Sequence, residues 1–189
     1  RDSSTSRGLG DVYKRQAIDS QNSVANAYIN VTAPTTNTWS LTAPNFNFGT
    51  QTASSSVINS NATGDAAIKI VNLSGTSTSF SLQQSISDFT LVSNTIVLPA
   101  TGFYVSVANS SDGKLIGSSN VNIFKQNGVV LRSGTGANGT MNSGAVTAQL
   151  TVDGTTRVIV TGSYKATITS TLVTCLLYTS DAADDMQCV

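Results

Sequence analysis

Apolar and polar residues alternate with a period of two along most of this chain. Ala67-Ile68-Lys69-Ile70-Val71 places Ile68 and Ile70 on one face, and Ser79-Phe80-Ser81-Leu82 does the same for Phe80 and Leu82. The pattern recurs at 89–91, 104–107, 121–124 and 146–152, and 164–172 reads as an edge or terminal strand. Residues 157–160, Arg-Val-Ile-Val, form a denser apolar run that reads as a further strand. A two-residue period sends successive side chains to opposite faces of a pleated ribbon, so each run predicts a strand with one buried face. Val, Ile and Thr dominate the runs, and their branched Cβ fits a pleated surface better than a helix. Asp112-Gly113, Asn127-Gly128 and Asp153-Gly154 supply residues that tolerate positive φ, as tight hairpins require. Pro44 and Pro99 fall at strand margins, where a missing N–H harms no central ladder. Residues 133–144, rich in Gly, Asn and Ser, read as a long surface loop. About ten short strands with regular turns and no helical periodicity predict an all-β fold, an antiparallel β-sandwich of Ig-like or jelly-roll type.

The two ends break this pattern. Ser6-Arg7-Gly8-Leu9-Gly10-Asp11-Val12-Tyr13-Lys14-Arg15-Gln16 matches a translated sequencing-library adapter, and Cys175-Leu176-Leu177-Tyr178-Thr179-Ser180-Asp181-Ala182-Ala183-Asp184 matches its partner. Residues 1–16 and 175–189 are therefore read as adapter-derived rather than native, and are expected to pack poorly and carry no site. Between them, 17–42 holds two strand-like runs, 27–32 and 38–42, which form either a first hairpin or a linker. Residues 43–174 make the sandwich domain.

With the ends set aside, both cysteines (Cys175 and Cys188) disappear, and no disulfide is inferred from them. Six basic residues remain (Lys69, Lys114, Lys125, Arg132, Arg157, Lys165) beside five acidic ones (Asp19, Asp65, Asp88, Asp112, Asp153), with no Glu or His. Polarity thus comes from Ser, Thr, Asn and Gln. So few, scattered cations give no footprint for nucleic acid or an anionic membrane. No stretch approaches the roughly 18 apolar residues of a membrane-spanning helix.

Candidate chemistry is sparse. Gly134-Thr135-Gly136-Ala137-Asn138-Gly139 spells G-x-G-x-x-G, but Thr140-Met141-Asn142-Ser143-Gly144 follows it and will not open the helix that such a phosphate cradle needs. A flexible loop is the reading. General acid–base catalysis calls for His or closely paired carboxylates, and five scattered Asp supply neither. Zinc lacks its Cys and His ligands, and calcium needs clustered carboxylates, so neither a metal nor another cofactor is expected. Five N-glycosylation triplets, at Asn30, Asn61, Asn72, Asn109 and Asn138, are what a chain rich in Asn, Ser and Thr produces by chance. Trp39, Tyr28, Tyr104 and Tyr164 are the candidate aromatic platforms for a sugar face. Trp39 alternates with Leu41, which points to core packing.

From Ala43 onward the chain resembles the WxL domain of Gram-positive cell-surface proteins. Ala43-Pro44-Asn45-Phe46-Asn47-Phe48-Gly49-Thr50-Gln51-Thr52 is similar to that family's opening P-x-F-x-F-G strand. Ile70-Val71-Asn72-Leu73-Ser74-Gly75 is similar to its V-x-D-x-R-G segment, and Gly162-Ser163-Tyr164-Lys165-Ala166-Thr167-Ile168-Thr169-Ser170-Thr171-Leu172 to its closing G-x-Y-x-A-T-L-T-W-T-L. Both signature Trp positions depart from the pattern: Phe80 and Ser170 stand there, while Trp39-Ser40-Leu41 precedes the opening strand.

The resemblance implies a non-catalytic, extracellular, cell-wall-associated module that binds peptidoglycan or another surface polysaccharide without covalent attachment. By position in the matching motifs, Phe80, Leu82, Tyr164 and Leu172 become the expected wall contacts. The alternative from a different class is a pilin- or fibre-like structural or adhesive subunit, whose strand edges pair with other surface proteins.

Overall fold

The computed structural model describes residues 25–32, 34, 35 and 38–174, so the expectations for the adapter-like ends lie outside the described residues. The chain divides into two compact units, Arg1–Val31 and Thr32–Val189. Within the first, residues 25–31 carry no regular structure, and Tyr28, Ile29 and Val31 are exposed. The second contains the strands β1 (Trp39–Thr42), β2 (Val57–Thr63), β3 (Lys69–Asn72), β4 (Phe80–Ile86), β5 (Thr90–Leu91), β6 (Ala100–Val107), β7 (Leu115–Gly117), β8 (Val121–Asn122), β9 (Gly128–Ser133), β10 (Gly139–Asn142), β11 (Val146–Asp153), β12 (Tyr164–Lys165) and β13 (Ile168–Thr174).

β11 shows how alternation becomes architecture. Val146, Ala148, Leu150 and Val152 are buried, while Thr147, Gln149, Thr151 and Asp153 turn toward the other face. β11 lies between β2 and β6 in a four-stranded sheet of order β2-β11-β6-β8. A second four-stranded sheet has the order β13-β4-β9-β7, and its β4 is central, paired with β13 and β9. All these ladders are antiparallel. The inner faces share one core: Phe103, Val105, Leu150 and Val152 from one sheet meet Phe80, Leu82, Val130 and Leu131 from the other. Each fully buried Val, Leu or Phe among them contributes about 1.5–3 kcal/mol, which makes this shared face the main stabilising feature. The fold is therefore an all-β antiparallel sandwich. Two small sheets, β1-β3-β10 and β12-β5, complete it. Among the described residues no helix is long and apolar enough to cross a membrane.

The chain passes between the sheets after β6, and the crossing is tight. A Cβ on Gly117 would lie 1.8 Å from the Val107 carbonyl oxygen, and Val107 N donates to Ser118 O at 2.9 Å. Only a residue without a side chain lets the two backbones approach this closely. Trp39 joins the core as expected, half-buried and edge-on to Phe80 with ring centroids 5.4 Å apart. β1 pairs with β3, so 39–42 is a strand of the folded unit.

Several local expectations give way to the structure. Residues 157–160 do not form a strand: Ile159 packs on the core, but Val158 is 89% exposed. Without a neighbouring ladder, an apolar run has no reason to extend. Residues 133–144 are not simply a loop, because they contain β10, which pairs with β3 and buries Met141. The Asn127-Gly128 turn is displaced: Lys125 takes the left-handed φ of 55°, and Gly128 already belongs to β9. Asp112-Gly113 turns as expected, with Gly113 at φ 72°. Asp153-Gly154 closes no hairpin, since Gly154 takes no positive φ and no strand directly follows it. Residues 164–172 are not one strand but β12 and β13, which pair with different partners, β5 and β4.

Candidate functional site

A groove of about 1140 Å³ opens along one side of the sandwich. Residues 43–53 form one wall and residues 159–168 the other, over a floor that includes Phe89, Leu98, Phe103 and Leu150. The two walls are segments that carry the resemblance described above, brought together from distant parts of the chain.

The first wall is held by side chains more than by a ladder. Phe46 and Phe48 stand edge-on to Phe103, with centroids 5.9 and 5.7 Å away. Such contacts add about 0.5–1.5 kcal/mol each beyond area burial. Asn45 is clamped to Asp65: its backbone N–H donates to Oδ1 at 2.8 Å and its Nδ2 to Oδ2 at 3.0 Å. Asp65 N–H returns a bond to Asn45 O at 3.1 Å. The Asn45 side-chain amide first, and its backbone N–H second, hold the Asp65 carboxyl below its ordinary value. Further along, Asn47 Oδ1 accepts from Gly49 N at 2.8 Å and Gln51 Nε2 donates to Phe48 O at 2.8 Å, shaping the turn that ends the wall.

The second wall is tied down at several points. Tyr164 O–H donates to Val160 O at 2.7 Å. β12 pairs with β5 through Tyr164–Leu91 and Lys165–Thr90. Thr167 N–H donates to Ser87 Oγ at 2.9 Å, and Ser87 N–H to Thr167 O at 3.1 Å. At the far end Ser170 lines the groove and accepts from Gln84 Nε2 at 2.9 Å.

The groove is almost free of charge. Among its described lining residues Lys165 alone is ionic, beside amides, hydroxyls and aromatic or aliphatic surface. The acidic side chains of the sandwich have structural tasks. Asp112 and Asp153 accept the N–H two residues on, from Lys114 and Thr155, closing turns. Asp88 pairs with Lys125 at 3.0 Å.

Of the residues expected to contact the wall, Tyr164 lines the groove and is half-buried. Leu172 is half-buried on β13, directly across from Leu82. Phe80 and Leu82 are placed differently from the expectation: they are 1% and 0% exposed, because β4 is a central strand whose inner face forms the core. The structure therefore brings Leu82 and Leu172 together as cross-strand neighbours and keeps Tyr164 apart on β12. Asn45, Asn47, Gln51, Gln84 and Ser170 were not singled out as contacts from the sequence, although all but Gln84 lie in the segments that carry the resemblance. Of the sugar-platform candidates in the sandwich, Tyr164 lines the groove, whereas Tyr104, half-buried on β6, and Trp39, packed on Phe80, are not among its described lining residues. Comparison with protein-family models, curated proteins and solved structures returned no match.

Proposed function

We propose that this chain is a non-catalytic surface module that attaches non-covalently to the bacterial cell wall, with peptidoglycan as its partner and the groove as its contact. One observation carries the reading: two of the three segments similar to the WxL pattern, 43–52 and 162–172, converge on a single groove in which Lys165 is the one ionic residue among the described lining. Amide and hydroxyl side chains beside aromatic rings suit a neutral, hydroxyl-rich polymer, whose apolar ring faces pack on Phe and Tyr while its hydroxyls exchange hydrogen bonds. Tyr164 stays in the contact set, joined by Asn47 and Gln51. Phe80 and Leu82 act from within, shaping the sheet behind. Wall attachment places the protein outside the cell.

Assembly through strand edges is the second reading. It is favoured by β13, an uncharged seven-residue edge strand that pairs regularly with β4 and has no proline. Edges of this kind recruit further strands.

Co-sedimentation of the full chain with intact Gram-positive peptidoglycan separates the two. Saturable pelleting is expected, lost in a folded Gln51→Ala, Tyr164→Ala variant. Absence of pelleting, or pelleting unchanged in that variant, overturns the groove reading, and concentration-dependent oligomers would then favour assembly.

A further inference from the structure

Behind groove-lining Ser170 lies an unpaired buried acceptor. Gln84 and Ser170 are cross-strand partners on β4 and β13, joined by the 2.9 Å bond from Gln84 Nε2 to Ser170 Oγ. Gln84 is 3% exposed, and its Oε1 has no hydrogen-bond partner. Buried amide oxygens are almost always paired, because leaving one without a donor forfeits its hydration and gains nothing in exchange. The same amide reaches groove-lining Ser170 through its nitrogen, so the unpaired oxygen lies within one side chain of the groove surface. Ser170 Oγ accepts from Gln84, so its own proton remains to be donated. Next along the same two strands, Ile86 and Ile168 face each other and line the groove with apolar surface.

This set comprises one acceptor, one donor and an adjacent apolar wall, with no charge. A secondary amide bearing a methyl group is its complement. We propose that this end of the groove is a subsite for the acetamido group of an N-acetylated sugar. The amide N–H donates to Gln84 Oε1, the amide C=O accepts from Ser170 O–H, and the methyl packs against Ile86 and Ile168. Oε1 is closed to solvent, so the Gln84 amide turns toward the groove as the sugar enters. The subsite rests on the groove being the wall-contact surface, and it names which wall component is read: the N-acetylated glycan strand, rather than an anionic polymer or a charged peptide.

Titration calorimetry on the full chain with N-acetylated chitotetraose, beside cellotetraose, tests it, because the two neutral tetrasaccharides differ in the acetamido group. Chitotetraose is expected to bind at least about tenfold more tightly, the effect of one or two net hydrogen bonds. Ser170→Ala and Gln84→Met are each expected to remove that preference. Ser170→Ala on the edge strand provides the test by itself if Gln84→Met does not fold. Equal affinity for the two sugars, or a preference unchanged in folded Ser170→Ala, overturns the subsite. If neither sugar binds while intact peptidoglycan still pellets the protein, the subsite fails and wall attachment survives. If neither sugar binds and nothing pellets, both fail.

Discussion

Phe103 fastens the first groove wall to the sandwich, and replacing it perturbs the core and the groove together. Its ring is 1% exposed on β6 and meets Phe46, Phe48 and Phe89 at centroid distances of 5.9, 5.7 and 6.0 Å. Truncating a buried Phe to Ala costs about 3–5 kcal/mol through lost transfer energy and the cavity left behind. For a domain of this size that corresponds to a fall in Tm of about 6–20 °C. A double-mutant cycle isolates the fastening itself. Phe103→Leu and Phe48→Leu keep most of the apolar volume, so their non-additivity reports the edge-on contact, expected at about 0.5–1.5 kcal/mol. Phe124, half-buried and absent from Phe103's ring contacts, serves as the control and should couple by less than about 0.5 kcal/mol. The chain has one Trp, and Trp39 lies edge-on to Phe80, so urea unfolding followed by its fluorescence reads the core directly. A Phe103→Ala cost below about 1.5 kcal/mol, or coupling to Phe48 no larger than to Phe124, would refute the claim that aromatic packing holds this wall.

Other expectations concern the backbone and the charges. Gly117→Ala drives a Cβ to 1.8 Å from Val107 O and should cost more than about 2 kcal/mol, whereas Gly113→Ala, at φ 72° in open space, should cost about 1–2 kcal/mol; equal or reversed urea midpoints would count against the close crossing. Asp65 is held below its ordinary pKa by Asn45, so its stabilising effect is fully present above the unfolded carboxylate value of about 3.9 and is lost as pH falls through the lower folded value. Asp65→Asn should therefore flatten this part of the acid limb of Tm against pH, and parallel wild-type and variant curves would exclude the clamp. Lys125 adopts φ 55° and pairs with Asp88 at the surface. Lys125→Gly and Lys125→Ala both lose the ion pair, but Gly relieves the left-handed strain and should be about 1 kcal/mol more stable than Ala by urea unfolding.

The sandwich could be read from the sequence because strands buried on one face record their burial in every second residue. Residues 146–152 were expected as a strand, and β11 spans Val146–Asp153. The reading failed where pairing, not periodicity, decides. Residues 157–160 have strand-like composition but no ladder, and their chain is tethered instead by Arg157 Nη2 donating to Val97 O at 2.9 Å and by Tyr164 O–H on Val160 O. β10 was hidden in a Gly- and Asn-rich stretch because its existence depends on β3 beside it. The candidate site was harder to read for the same reason. Alternation put Phe80 and Leu82 on a buried face while motif position made them wall contacts, and burial prevails because β4 is a central strand. Gln84 is a polar residue that alternation alone would not mark as a buried group, and its importance appears only once β13 sets Ser170 against it.

The groove between 43–53 and 159–170 is proposed to take the wall glycan. The most direct test is backbone amide NMR on the isotopically labelled full chain, titrated with glycan released from peptidoglycan by muramidase. Saturable shifts concentrated at 45–51 and 161–170, with Gln84 among them, are the expected result. Shifts gathered on β7 and β8 at the opposite edges of the two sheets, or none at saturating glycan, would contradict it.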